Sequence, residues 1–160
     1  MSDFRYEVEI RASPARVWSV LLDVERWPEW TTSVSRIQRM EIGAITIGSR
    51  TRVWQPHLRP AVWRVTSLDE KRRVFGWTTR TLGTDIVGRH QIDPLKNYSR
   101  VTLTIDYTGS LSAFITRLYG KLTLDYIIRE GDGLKRFCES MPVTRTVLPP
   151  QQIRPTAQTS

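Results

Sequence analysis

The segment from Leu111 to Cys138, LSAFITRLYGKLTLDYIIREGDGLKRFC, limits what this chain can become more than any other stretch. Leu111, Phe114, Ile115, Leu118, Leu122, Tyr126, Gly133 and Phe137 recur at steps of three and four, which sets them along one side of a helix about 40 Å long at roughly 1.5 Å per residue. No other segment has the length and period for such a helix. From Ser33 to Gly109 the chain instead alternates apolar and polar residues in the manner of strands. The expected fold class is α+β: a curved, seven-stranded antiparallel sheet wrapped around one long C-terminal helix, with two short helices after strand 1. Such a pairing leaves an apolar space between helix and sheet.

A chain of 160 residues is long enough for one domain with a real core and short for two. Residues 1–141 are assigned to that domain. Residues 142–160 hold four prolines and no aromatic or acidic residue, a composition that buries too little surface to offset the entropy of ordering; a disordered tail is expected there. No apolar run approaches a membrane span and the N-terminus does not read as a signal peptide, so the expectation is a cytoplasmic protein without a transmembrane segment, monomeric or homodimeric. One cysteine, Cys138, excludes an internal disulfide, and two isolated histidines, His57 and His90, do not make a zinc pattern. Neither a metal nor a cofactor is expected.

The formal charge is +8, and its distribution decides how to read it. Between Arg36 and Arg89 there are eleven basic residues against four acidic ones, nearly the whole excess. Many of these arginines alternate with apolar or small residues, as in Arg50-Thr51-Arg52-Val53 and Trp63-Arg64-Val65, which is the pattern of a solvated sheet face. No specific nucleic acid is expected as a partner. A basic surface that meets nucleic acid or an anionic membrane is the competing reading.

Phe4 to Arg11 alternates as a strand. Ser13 then sits at an N-cap position and Pro14 at the first helical position, with Val17, Trp18, Leu21 and Leu22 following at helical spacing. Pro28 stops this helix from merging with a second short one through Asp23–Trp30. Further strands are read over Val34–Met40, Ser49–Gln55, Ala61–Leu68, Val74–Arg80, Asp85–Ile92 and Tyr98–Tyr107, separated by Gly-, Pro- and Asp-bearing turns.

The run Ile10-Arg11-Ala12-Ser13-Pro14-Ala15-Arg16-Val17-Trp18, then Leu22-Asp23-Val24-Glu25-Arg26-Trp27-Pro28-Glu29-Trp30, resembles the start of the polyketide cyclase/dehydrase-like family of the START-like (Bet v 1-like, SRPBCC) superfamily. Val53, Pro60-Ala61-Val62-Trp63, Phe75-Gly76-Trp77, Gly88-Arg89-His90 and the closing helix agree in order and kind, so the resemblance covers about residues 4 to 139. It implies the helix-grip fold. Members range from ligand carriers to aromatase/cyclases, and no catalytic signature of the family carries over residue by residue.

The alternation places Trp63 and Trp77 on inward strand faces, with Val53, Gln55 and Val65 beside them, where flat side chains either fill a core or line a cavity for a flat apolar ligand. Trp30 is expected as a lid at the mouth, and Trp18 and Trp27 in the core. Opposite the sheet, Leu118, Leu122 and Tyr126 are the expected helix wall. His90 shares its face with Gly88 and Ile92, so it points inward as the one candidate for proton transfer or for hydrogen-bonding a ligand. His57, between two prolines, belongs on an exposed rim. Arg129 falls on the helix stripe and could anchor a ligand carboxylate, although Asp125, four residues back, is placed to pair with it. Asp85, Asp93 and Asp106 fall at turns or on outward faces, so no inward carboxylate pair is expected. The leading functional expectation is binding of a hydrophobic small molecule, aromatic or polyketide-like. A cyclase/dehydratase-type enzyme using His90 in the same pocket is the alternative.

Overall fold

The computed structural model describes residues 3–140; the tail expected from residue 142 onward lies outside them. Strand β1 (Phe4–Ile10) leads into α1 (Pro14–Leu22), a single 3-10 turn (Val24–Arg26) and the short α2 (Trp27–Trp30). Six strands follow as a meander: β2 (Arg36–Arg39), β3 (Arg50–Trp54), β4 (Ala61–Asp69), β5 (Val74–Thr81), β6 (Thr84–Pro94) and β7 (Ser99–Gly109). The 29-residue α3 (Ser112–Ser140) closes the chain.

Local chemistry sets the turns. The Ser13 side chain accepts a hydrogen bond from the Arg16 N–H at 3.3 Å and Pro14 opens α1, as a cap followed by a proline at the first helical position requires. At the β5–β6 tip, Leu82 and Gly83 both take positive φ (46° and 71°), the geometry of a two-residue hairpin whose twist matches its strands.

All seven strands are antiparallel, in the order β1-β7-β6-β5-β4-β3-β2. Consecutive hairpins explain β2 to β7; the exception is β1, which pairs β7 from Phe4↔Ile105 to Ile10↔Ser99. The first two strands are therefore the two edges, and α1 and α2 carry the chain across the sheet between them. A register shift between Val65 and Ser67 bends β4 against β5, as bulges do. The curved face receives α3, which meets β1, β7, α1 and α2.

The helix is where expected but is turned about its axis. Leu111, Phe114 and Leu118 are exposed (46%, 59% and 57%), whereas Ile115, Tyr126, Ile127, Leu134 and Cys138 are buried. Successive residues advance by about 100°, so the buried face is centred roughly a quarter turn from the stripe read in the sequence. Two polar residues, Thr123 and Glu130, ride on the buried face because each finds a hydrogen-bond partner inside. Arg129 falls outside it as well: half-exposed, it pairs with Asp125 at 2.8 Å and does not reach the interior. Gly133 lets the helix press on α2, since a Cβ there would collide with the Trp30 carbonyl oxygen.

Candidate functional site

Between the sheet and α3 lies a partly enclosed cavity of about 100 Å³. Its sheet wall is built by alternation: Val53 on β3, Trp63 on β4, Trp77 on β5, His90 on β6 and Leu103 on β7 all project to the inner face, and Gln55 and Leu58 continue the wall past β3. Trp63 and Trp77 stack with ring centroids 5.2 Å apart, and Trp27 packs on Trp77 at 5.0 Å. Gly88, beside Trp77 on β6, gives that indole its room: a Cβ there would lie 3.0 Å from Nε1. The opposite wall comes from α3, through Thr123, Tyr126, Ile127 and Glu130.

Gln55, Arg89 and Thr104 are among the lining residues, and several of the other polar groups there are already engaged. The Trp27 indole N–H donates to the Leu21 carbonyl at 2.9 Å. The Tyr107 and Thr123 hydroxyls hydrogen-bond at 2.5 Å, and burial pushes the Tyr107 phenol above its ordinary pKa. Tyr126 donates to the Pro56 carbonyl, tying the β3–β4 connection down onto α3; burial raises its phenol too.

The remaining pair is the chemically distinctive one. His90 Nε2 meets Glu130 Oε1 with the two side chains only 5% and 13% exposed, while His90 Nδ1 is buried with no partner among the described residues. The Phe75 and Trp27 rings, 5.8 and 5.6 Å away, hold the imidazole from the side. Nε2 is the ring nitrogen that faces the carboxyl group, and Nδ1 has no hydrogen-bond partner among the described residues. A chamber with aromatic walls thus carries one carboxylate fixed by a histidine, with Gln55, Arg89 and Thr104 also on its lining.

Six of the ten residues read from the sequence as ligand-binding border this cavity: Val53, Gln55, Trp63, Trp77, His90 and Tyr126. Four do not. Trp30, expected as a lid, is 7% exposed and packs on Trp27 beneath α3. Val65 is buried where β4 bends away, and Leu118 and Leu122 sit on the sides of α3 turned from the cavity. His57 is exposed on the β3–β4 connection. Sequence reading passed over Tyr107, Thr123 and Glu130. A signal for the last two was present: Glu130 lies four residues from both Tyr126 and Leu134, and Thr123 three before Tyr126, so all share a helix face.

Among the described residues no three His, Cys, Asp or Glu side chains gather where they could hold a metal ion.

No curated protein matches the chain. Solved structures do, at identities low enough to speak for the fold alone. The Zhui aromatase/cyclase from a Streptomyces species aligns with a TM-score of 0.69 at 15% identity, over 84% of this chain and 92% of its own. Norcoclaurine synthase from Thalictrum flavum, in complex with dopamine and hydroxybenzaldehyde, gives 0.67 at 14%, over 84% of each chain. A protein from Thermus thermophilus gives 0.67 at 19%, over 83% of this chain and 94% of its own. The family model described as polyketide cyclase / dehydrase and lipid transport matches residues 1–135, and this chain belongs to that family.

Proposed function

We propose that the chain binds a small aromatic molecule carrying a hydrogen-bond donor, a phenol or an amine, in the cavity between sheet and α3. The observation that carries this is the Glu130 carboxylate, held by His90 and facing a chamber walled by Trp27, Trp63 and Trp77. Aromatic walls supply affinity for a flat apolar body, and an acceptor fixed in a low-dielectric space rewards a ligand that brings a donor. Size narrows the class further. A dry apolar cavity of roughly 150 Å³ takes benzene, so about 100 Å³ accepts little more than one ring unless the walls yield. The wall placed to yield is the β3–β4 connection, which Tyr126 fastens.

Paired titrations with p-cresol and toluene, followed by tryptophan emission and by melting temperature, test the proposal. The expected result is preference for p-cresol by about tenfold or more, the worth of a hydrogen bond to a charged group. If neither compound changes emission or melting, the chamber is filled by its own side chains and the proposal fails.

Catalysis in the same pocket is the second reading, favoured by the same His90–Glu130 pair. A carboxylate steadied by imidazole can take an acidic C–H proton from a poly-ketone, and the aromatic walls can fold the flexible substrate for a cyclase/dehydratase-type reaction. Turnover of such a substrate that falls by roughly 10² to 10⁴ in Glu130→Gln, with binding retained, is the result that would promote it.

A further inference from the structure

The quarter turn of α3 leaves its second apolar stripe without a partner in the molecule. Leu111, Phe114 and Leu118 are 46%, 59% and 57% exposed, one side chain per helical turn. At the same end of the sheet stands Leu82, 66% exposed at the β5–β6 tip. The tip meets the connection that leads into α3: Thr84 pairs Gly109 in the ladder, and a Cβ on Gly83 would touch the Ser110 hydroxyl at 3.6 Å. Leu82 thus exposes an aliphatic side chain at a hairpin position, φ 46°, where the turn would accept glycine or asparagine. A cluster of exposed apolar side chains rimmed by polar residues is the mark of an interaction surface.

The charged residues of α3 before Asp125 are all basic. Arg117 and Lys121 flank the stripe on α3, and among the described residues neither meets a carboxylate. No acidic residue occurs between Ser110 and Leu124, nor between Lys71 and Thr84. The carboxylates nearest in sequence are already engaged: Asp85 with Arg80 at 3.5 Å, Asp125 with Arg129 at 2.8 Å, and Asp106, which accepts from the Asp3 N–H at 3.2 Å.

We infer that this end of the molecule docks on the surface of an anionic lipid bilayer, with Leu82, Leu111, Phe114 and Leu118 entering the interface and Arg117 and Lys121 resting among the headgroups. Four projecting side chains with a basic flank suit a bilayer, which needs no shape complementarity. They fall short of the roughly 800 Å² per partner of a stable protein interface, and self-pairing would bring Arg117 and Lys121 toward their own copies. Docking is at the surface only, for among the described residues no helix is long and apolar enough to cross a membrane. The position also has a use. Ile86 and Tyr107, cross-strand partners that border the cavity, lie two residues in from the Thr84–Gly109 pair, so the docked end is an end of the ligand chamber.

Co-sedimentation with vesicles of phosphatidylcholine, with and without phosphatidylglycerol, tests this without any ligand and so stands or falls apart from the proposed function. The full chain is expected to pellet with the anionic vesicles and not with the zwitterionic ones. Phe114→Ser with Leu118→Ser is expected to weaken pelleting by about tenfold or more, as is Arg117→Glu with Lys121→Glu, with melting temperatures unchanged because all four side chains are exposed. Failure of the wild type to pellet overturns the inference. So does pelleting that ignores both variants but disappears in Arg52→Glu with Arg64→Glu, which would assign it to the outer sheet face. A concentration-dependent dimer in gel filtration, abolished by Phe114→Ser, would assign the patch to a second copy instead.

Discussion

His90 on β6 and Glu130 on α3, forty residues apart, meet across the cavity and join the sheet to the helix that it grips. Elsewhere α3 is held to the sheet by apolar contact and by further polar pairs, Tyr107 with Thr123 at 2.5 Å inside the cavity and Tyr6 with Asp132 at 2.6 Å. A charged group in an apolar interior is costly unless it is hydrogen-bonded, and a hydrophobic pair of similar size would often serve stability as well. The placement therefore speaks for a task in the chamber more than for cohesion.

Exchanging the two partners separately distinguishes these roles. Glu130→Gln keeps a hydrogen-bond acceptor for His90 but removes the charge, so melting temperature is expected to hold while p-cresol binding weakens by about tenfold. His90→Phe preserves ring packing on Phe75 and Trp27 but leaves the carboxylate unpaired, at an expected cost of about 1–3 kcal/mol of stability in urea unfolding. Equal effects of the two variants on stability, with no effect on binding, would reduce the pair to a structural link.

Gly133→Ala tests how closely α3 is seated. The added methyl would meet the Trp30 carbonyl oxygen, which is backbone and has nowhere to go, so the helix must shift or the end of α2 must open. Overpacking of this kind costs about 1–3 kcal/mol, and a domain near this size loses about 2–4 °C of melting temperature per kcal/mol. An unchanged melting curve would mean that α3 is seated less tightly than described.

The same helix shows where sequence reasoning reached and where it stopped. Strand alternation, the Ser13-Pro14 cap and the Leu82-Gly83 turn are written in local periods, so the sheet, its order of hairpins and the inward Trp63, Trp77 and His90 could all be read without coordinates. The rotation of α3 could not be read from hydrophobicity alone, because this chain has two apolar stripes on one helix and keeps polar Thr123 and Glu130 on the one that is buried. What decides between the stripes is the partner across the cavity, Tyr107 or His90, and that is a long-range fact. Trp30 failed for a related reason: its place depends on Gly133, a residue about one hundred positions away that lets α3 lie on it.

Tyr126→Phe addresses access to the chamber. Losing the hydrogen bond to the Pro56 carbonyl is expected to cost about 0.5–1.5 kcal/mol of stability and to loosen the β3–β4 connection. Amide exchange at Leu58, whose N–H bonds the Gln55 carbonyl at 3.2 Å, is the local readout and should speed up. Two-ring phenols, too large for about 100 Å³, are expected to gain more in affinity from the variant than p-cresol does. If large and small ligands respond alike, the entrance lies elsewhere.

Alkaline unfolding follows from two groups of the same sign. Tyr6 is pushed up to about 12, first by its hydrogen bond to Asp132, then by burial and by the nearby negative charge. Burial pushes the Cys138 thiol up to about 11. Each group is held protonated in the folded chain beyond its ordinary value, so folding is favoured while the unfolded group is still protonated and the advantage is lost as pH rises through the folded value. Cys138 is thus expected to erode stability from about pH 9 to 11 and Tyr6 from about pH 10 to 12. Burial raises Tyr107 and Tyr126 in the same direction, so single variants are needed to separate the contributions. In urea unfolding at stepped pH, Cys138→Ala should flatten the earlier part of the decline and Tyr6→Phe the later part. The wild-type thiol should also stay slow toward disulfide reagents at about pH 8, because the reactive thiolate is scarce and the side chain is buried. A fast-reacting Cys138, or a decline that neither substitution alters, would show that the C-terminal turn of α3 opens from the sheet before either group ionises.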